Sequence, residues 1–205
     1  MKKIITFVLS LTVVVLFAGE SRAQFTRGSW ELTFSAGLNN FSESLNGQSS
    51  SSDNITILSL GVSPGYYIID GLSFEPEIGF QALLSGNSNT TAYHKLVANI
   101  SYTFYSPGKT FAPYIKAGIG TSNGLDFTSG KFNVAEVVGD NNSAVTILNA
   151  GIGIKSLIGK NAAIRTELNY SKESYSYTGS SLSGNNADYS MANIGLVVGV
   201  SLIIP

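Results

Sequence analysis

The chain has 205 residues, of which 12% are charged, 43% apolar and 11% aromatic, with 22 Gly, one His, no Cys and a formal charge of −1. A soluble domain carries about a quarter charged residues and a disordered chain has few aromatics, so this sequence folds yet is short of ordinary water-facing surface. It lacks the basic surplus of a nucleic-acid binder, and without Cys it has no disulfide, thiol nucleophile or Cys-ligated metal site, while a lone His leaves little room for a His-based metal site or triad.

Met1-Lys2-Lys3, an apolar run from Ile4 to Ala18, and small residues at Ser21 and Ala23 have the form of a secretory signal peptide. About 15 apolar residues fall short of the ~20 that span hydrocarbon as a helix, so residues 1–23 are expected to be cut off between Ala23 and Gln24. Residues 24–205 are then a single domain with 9 basic and 12 acidic groups, since Lys2, Lys3, Arg22 and Glu20 leave with the leader. No Cys follows the cut, so no lipoprotein anchor is expected.

From Trp30 the sequence alternates with period two, the pattern of strands with one apolar face. Trp30, Leu32, Phe34, Ala36 and Leu38 oppose Glu31, Thr33, Ser35, Gly37 and Asn39. Seven more such segments follow: Leu58 to Ile68, Leu72 to Gln81, Lys95 to Phe104, Pro113 to Gly120, Leu148 to Lys155, Ala162 to Ser171 and Ala192 to Ile204. In the seventh, Ala162, Ile164, Leu168 and Tyr170 form the apolar face against Arg165, Glu167, Asn169 and Ser171. No segment has a helical period.

Connections alternate in length. Ile69-Asp70-Gly71 offers a three-residue hairpin with Gly at the left-handed position, and Ser106-Pro107-Gly108-Lys109 and Gly159-Lys160 make the other short turns. The remaining connections, Asn40 to Asn54, Ser85 to Ala92, Asn123 to Ser143 and Thr178 to Asp188, are long and rich in Ser, Asn and Gly. Short turns at one end and long loops at the other predict an all-β, eight-stranded antiparallel up-and-down transmembrane barrel, with both mature termini at the short-turn end.

A soluble ligand-binding barrel would show the same alternation with the apolar face inward. Here the apolar face is bulky and nearly unbroken, whereas the polar face is mostly Gly, Ser, Asn and Thr. An eight-stranded barrel has room inside only for packed side chains, and a soluble exterior would carry more Lys and Glu. The polar face is therefore expected inside and the apolar face in lipid.

The strands Phe74-Glu75-Pro76-Glu77-Ile78-Gly79-Phe80 and Ala112-Pro113-Tyr114-Ile115-Lys116-Ala117-Gly118-Ile119-Gly120 carry PE-x-G and PY-x-x-x-G-x-G patterns. With these the chain resembles the small outer-membrane β-barrels of Gram-negative bacteria, of the OmpA, OmpX, OmpW or PorT-like type. The resemblance implies a setting of outer-membrane lipid and lipopolysaccharide, insertion by the barrel-assembly machinery, termini on the periplasmic side and no cofactor. Such barrels usually end on a lipid-facing aromatic, whereas this sequence ends Leu202-Ile203-Ile204-Pro205.

Inward-facing charges are Glu31, Glu75, Glu77, Lys95, Lys116, Lys155, Arg165 and Glu167, four of each sign. Counted from the short turns, Glu75, Glu77, Lys116, Lys155, Arg165 and Glu167 share one layer, where a balanced ion-pair network is expected because an unpaired charge in a narrow lumen is costly. A polar relay that opens to small ions is the alternative. Pro64 and Pro76 fall opposite one another on neighbouring strands, where neither donates to the ladder, so a local gap is expected.

His94 is the sole His available for acid–base chemistry. Its neighbours Tyr93, Lys95 and Leu96 lack the Phe-x-His-x-Ser pattern of outer-membrane lipid A deacylases, and no Asp adjoins it as in omptin-like proteases. A histidine at the barrel rim is the better reading, and no enzyme is expected. Gly118-Ile119-Gly120 and Gly151-Ile152-Gly153 precede no helix and are strand glycines rather than phosphate loops. The longest loop, 123–143, holds Asp126, Phe127, Lys131 and Phe132, a set suited to an extracellular protein or surface partner. The sequence thus points to a non-enzymatic barrel with a structural or surface-interaction role, or to a narrow pore or secretion-associated component.

Overall fold

The computed structural model describes residues 25–45, 48–50, 56–84, 92–106, 108–124, 144–159, 161–177 and 187–205. Its strands are β1 (Trp30–Leu45), β2 (Gln48–Ser50), β3 (Thr56–Ile69), β4 (Leu72–Leu84), β5 (Ala92–Thr103), β6 (Phe111–Gly124), β7 (Ala144–Leu157), β8 (Ala162–Tyr177) and β9 (Ala187–Ile204). Each barrel strand pairs antiparallel with its chain neighbour, and β1 also pairs with β9 from Trp30↔Ile204 to Leu45↔Tyr189. That last ladder closes eight strands into a barrel and removes both free edges, the condition for placing a sheet in hydrocarbon. β2 lies outside the ring and folds back only onto the end of β1, Glu43↔Ser50 to Leu45↔Gln48.

Three features differ from the sequence expectation. β1 runs on to Leu45 and β2 forms beyond it, within the span expected as loop from Asn40. Ala162, expected on the lipid face, is buried where β8 begins, packed at the barrel end. The first hairpin turn is two residues, Asp70-Gly71, because Ile69 already pairs with Leu72 across a register shift after Tyr67. Gly71 has φ +78°, and a Cβ there would lie 2.6 Å from the Thr103 carbonyl oxygen, so both its conformation and its space require glycine. Gly108 and Gly159 make the other turns of this end, also with positive φ.

The alternation sorts cleanly into two faces. Exposed apolar side chains run Trp30 to Leu38, Leu58 to Ile68, Leu96 to Phe104, Phe111 to Ile119, Leu148 to Ile158 and Ile194 to Ile204. Such runs match the 9–11 residues that cross a bilayer in a tilted strand. At the short-turn end Trp30, Tyr66, Phe74, Tyr102 and Phe111 all point outward, with the Trp30 and Tyr66 rings tilted against each other at 5.0 Å between centres, and form an aromatic girdle at interface level. Between Val62↔Ile78 and Tyr66↔Phe74 the β3–β4 ladder carries no pairs, which is where Pro64 and Pro76 face each other. The Ser63 hydroxyl reaches into this gap and donates to the Pro76 carbonyl at 3.0 Å.

Candidate functional site in the lumen

The inward face carries the polar chemistry, and its charges join end to end. Lys95 meets Glu77 at 3.0 Å, and Lys116 bridges Glu77 at 3.6 Å and Glu167 at 2.7 Å. Arg165 bridges Glu167 at 3.2 Å and Glu75 at 2.9 Å. Lys155 then links Glu75 at 3.8 Å to Glu31 at 2.6 Å. The order Lys95–Glu77–Lys116–Glu167–Arg165–Glu75–Lys155–Glu31 alternates in sign at every step. Because Arg165 on β8 reaches Glu75 on β4, and Lys155 on β7 reaches Glu31 on β1, the chain of charges crosses the lumen rather than following its wall.

Alternation matters because charges removed from water are tolerated only when their partners and hydrogen bonds are complete. Two tyrosines add those bonds. Tyr114 donates to Glu167 at 2.6 Å and accepts from Arg165 Nε at 2.6 Å, with the guanidinium 4.3 Å from its ring centre. Tyr67 donates to Glu31 at 2.6 Å and accepts from Lys155 at 3.0 Å. Lys155 and Arg165 are direct cross-strand partners, a like-charge pair that would repel. The repulsion is relieved because Lys155 turns to Glu31 and Arg165 to Glu75 and Glu167.

Lumen glycines make the long reaches possible. Gly153 lies between Tyr114 and Glu167 in the ladder, and a Cβ on it would come within 2.7 Å of the Tyr114 ring. Gly118 lies between Asn99 and Asn149, which bond over it at 2.9 Å. A Cβ on Gly118 would stand 2.2 Å from Asn99 Oδ1. Gly151 similarly clears the path from Lys116 to Glu167. The high glycine content is in this way part of the network: each missing side chain is a slot through which a neighbour spans two strands.

Of the charges expected in one layer, Glu75, Glu77, Lys116, Lys155, Arg165 and Glu167 are brought together, and Glu31 and Lys95 form the two ends of their chain. Sequence reasoning passed over three groups. Asn99, Asn149 and Asn169 form an amide ladder, with Asn169 donating to Asn149 at 2.8 Å and to Glu167 at 2.8 Å. Their register around Gly118 and Gly151 was the available signal. Glu173 is a further buried inward charge, and Tyr67 and Tyr114 are buried inward tyrosines whose spacing in the sequence carries no sign of their part in the network. A cavity of about 40 Å³ borders the charges, lined by Glu77, Lys95 and Lys116 and, among others, by Ser35, Asn39, Ser59, Gln81 and Asn193.

Two comparisons bear on this geometry. The family model described as "Outer membrane protein beta-barrel domain" matches residues 9–201. The chain belongs to this outer-membrane β-barrel family. Solved structures agree on the fold. Neisserial surface protein A is 16% identical, with 83% of this chain and 96% of that one covered and a TM-score of 0.52. The outer-membrane protein AlkL is 13% identical, with 91% and 94% covered and a TM-score of 0.52. A de novo designed transmembrane β-barrel is 14% identical, with 88% and 99% covered and a TM-score of 0.50. A search of curated proteins finds no match.

Membership of the family places the protein in the bacterial outer membrane, with its apolar face in lipid. In this barrel His94 sits near the long-connection end of β5, opposite Phe80 and Asn123, half-buried and on the lipid-facing parity. The expected processing site at Ala23 and Gln24 and the loop residues Asp126, Phe127, Lys131 and Phe132 lie outside the described residues.

Proposed function

We propose that the protein is a closed, non-enzymatic outer-membrane barrel that acts at the cell surface through its long connections, with both ends of the mature chain in the periplasm. The observation that carries this reading is the eight-membered chain of charges from Lys95 to Glu31, which crosses the lumen with every member paired. A barrel whose interior is spent on its own packing has its outer loops left for recognition. The fold by itself assigns no activity, because one fold carries many functions and function lies in the site.

A second reading has one observation in its favour. The cavity of about 40 Å³ borders the charge chain, and at 10–15 Å³ per water it holds roughly three waters, so it suits the vestibule of a narrow pore gated by those charges.

The absence of Cys from the sequence makes the test clean. On intact cells, a membrane-impermeant maleimide should label Ser129→Cys in the longest connection and leave Lys109→Cys in a short turn unlabelled. The reverse pattern overturns the orientation. Crosslinking at the cell surface should recover a partner with the intact barrel that is lost when residues 125–143 are replaced by a Gly-Ser turn. Equal recovery from both would refute a recognition role for this connection.

A further inference from the structure

Residues Phe25–Ser29 belong to no strand, and the eight barrel ladders are complete without them. They nevertheless lie fixed across the mouth of the barrel at the short-turn end. Backbone hydrogen bonds tie them to the β3–β4 hairpin: Gly28 N–H donates to the Tyr67 carbonyl at 2.9 Å, Tyr67 N–H to the Ser29 carbonyl at 3.0 Å, and Gly71 N–H to the Phe25 carbonyl at 2.8 Å. Arg27 N–H donates to the Asp70 carboxylate at 2.8 Å. Phe25 reaches over the opening, where it is 1% exposed and packs with Tyr67, Ala112, Ala163 and Ile203, its ring 5.3 Å from Tyr105. Gly28, at φ +89°, makes the bend that turns the segment inward.

Directly above Phe25 stands the inner end of the charge chain. The Lys155 ammonium is wholly buried, 5.1 Å from the Phe25 ring centre, 5.6 Å from that of Tyr67 and 5.3 Å from that of Tyr114. Tyr67 and Tyr114 are held by strands, whereas Phe25 brings its wall of this aromatic cage from a segment outside the sheet. The ladder makes the barrel, the charges fill its middle, and a separate strap stoppers its end.

We infer that Phe25–Ser29 is a removable stopper: seated, it keeps water and solutes from the Lys155–Glu31 pair, and withdrawn, it opens the lumen from the short-turn end without unfolding the barrel. A five-residue segment outside the sheet opens locally at lower cost than any strand of a closed barrel, whose two ladders must both break. The inference does not depend on the surface role proposed above.

The test uses Ala163→Cys, which places a single thiol in the cluster beneath the stopper, and follows its reaction with a small charged thiosulfonate in the refolded full-length barrel. With Phe25 present the thiol should react slowly, and with Phe25→Ser added it should react at least about tenfold faster, as local opening replaces burial. Phe25→Leu should restore protection. Gly28→Val is the second variant: no atom obstructs a Cβ there, but the positive φ disfavours it, so it unseats the strap while keeping Phe25 and should also speed labelling. The heat-dependent gel shift reports that each barrel is folded. Equal labelling rates in folded barrels with and without Phe25, whether slow or fast, would overturn the inference.

Discussion

Replacing Arg165 with Leu tests whether the luminal charges hold the barrel together. Arg165 is 5% exposed and meets Glu75 at 2.9 Å, Glu167 at 3.2 Å and the Tyr114 hydroxyl at 2.6 Å. Leucine fills part of the volume but leaves Glu75 with Lys155 at 3.8 Å and the Ser73 hydroxyl at 2.7 Å, and leaves the lumen one positive charge short. Removing one partner from a buried ion pair costs about 3–5 kcal/mol. At roughly 2–4 °C per kcal/mol for a chain of this size, the midpoint of the heat-dependent gel shift should fall by about 6–20 °C. The companion variant Arg165→Leu/Glu75→Leu removes both charges and should recover at least half of the loss, because balance rather than charge itself is what the lumen requires. A midpoint within about 2 °C of the parent for Arg165→Leu, or a double variant as unstable as the sum of its singles, would refute the reasoning.

Other expectations follow from the same contacts. Gly153→Val puts a side chain where the Tyr114 ring lies and should cost about 1–3 kcal/mol in urea unfolding. Asn149→Leu cuts the ladder between Asn99 and Asn169 and should cost about 1–3 kcal/mol, read by the same assay. Pro64→Val/Pro76→Val supplies donors to the interrupted part of the β3–β4 ladder, so hydrogen exchange should show newly protected amides there and urea unfolding a gain of about 1 kcal/mol in stability.

The two faces of the barrel were legible because lipid enforces period two: Trp30, Phe34 and Leu38 face out and Glu31, Thr33 and Asn39 face in, as their spacing predicts. That signal ends where the hydrocarbon ends. Beyond Asn39 the sequence loses its alternation, since a strand above the bilayer needs no apolar face, and so the end of β1 and the whole of β2 read as loop. The luminal layer was legible by counting residues from the short turns. Its reach was not, because counting assumes that side chains stay level with their Cα atoms. Lys155 turns toward the short-turn end to Glu31, and Lys95 lies along Gly79 to reach Glu77. Those paths depend on which neighbouring position is glycine, which emerges only when the register between strands is known. Ala162 kept its outward parity in sequence, but the barrel end packs over it.

The charge chain and the amide ladder close this barrel with its own side chains. Single-channel recording of the refolded protein in planar bilayers tests it most directly. A lumen filled in this way leaves the bilayer silent at moderate voltage; repeated, stable openings of uniform conductance from the parent protein would mean that the lumen is open.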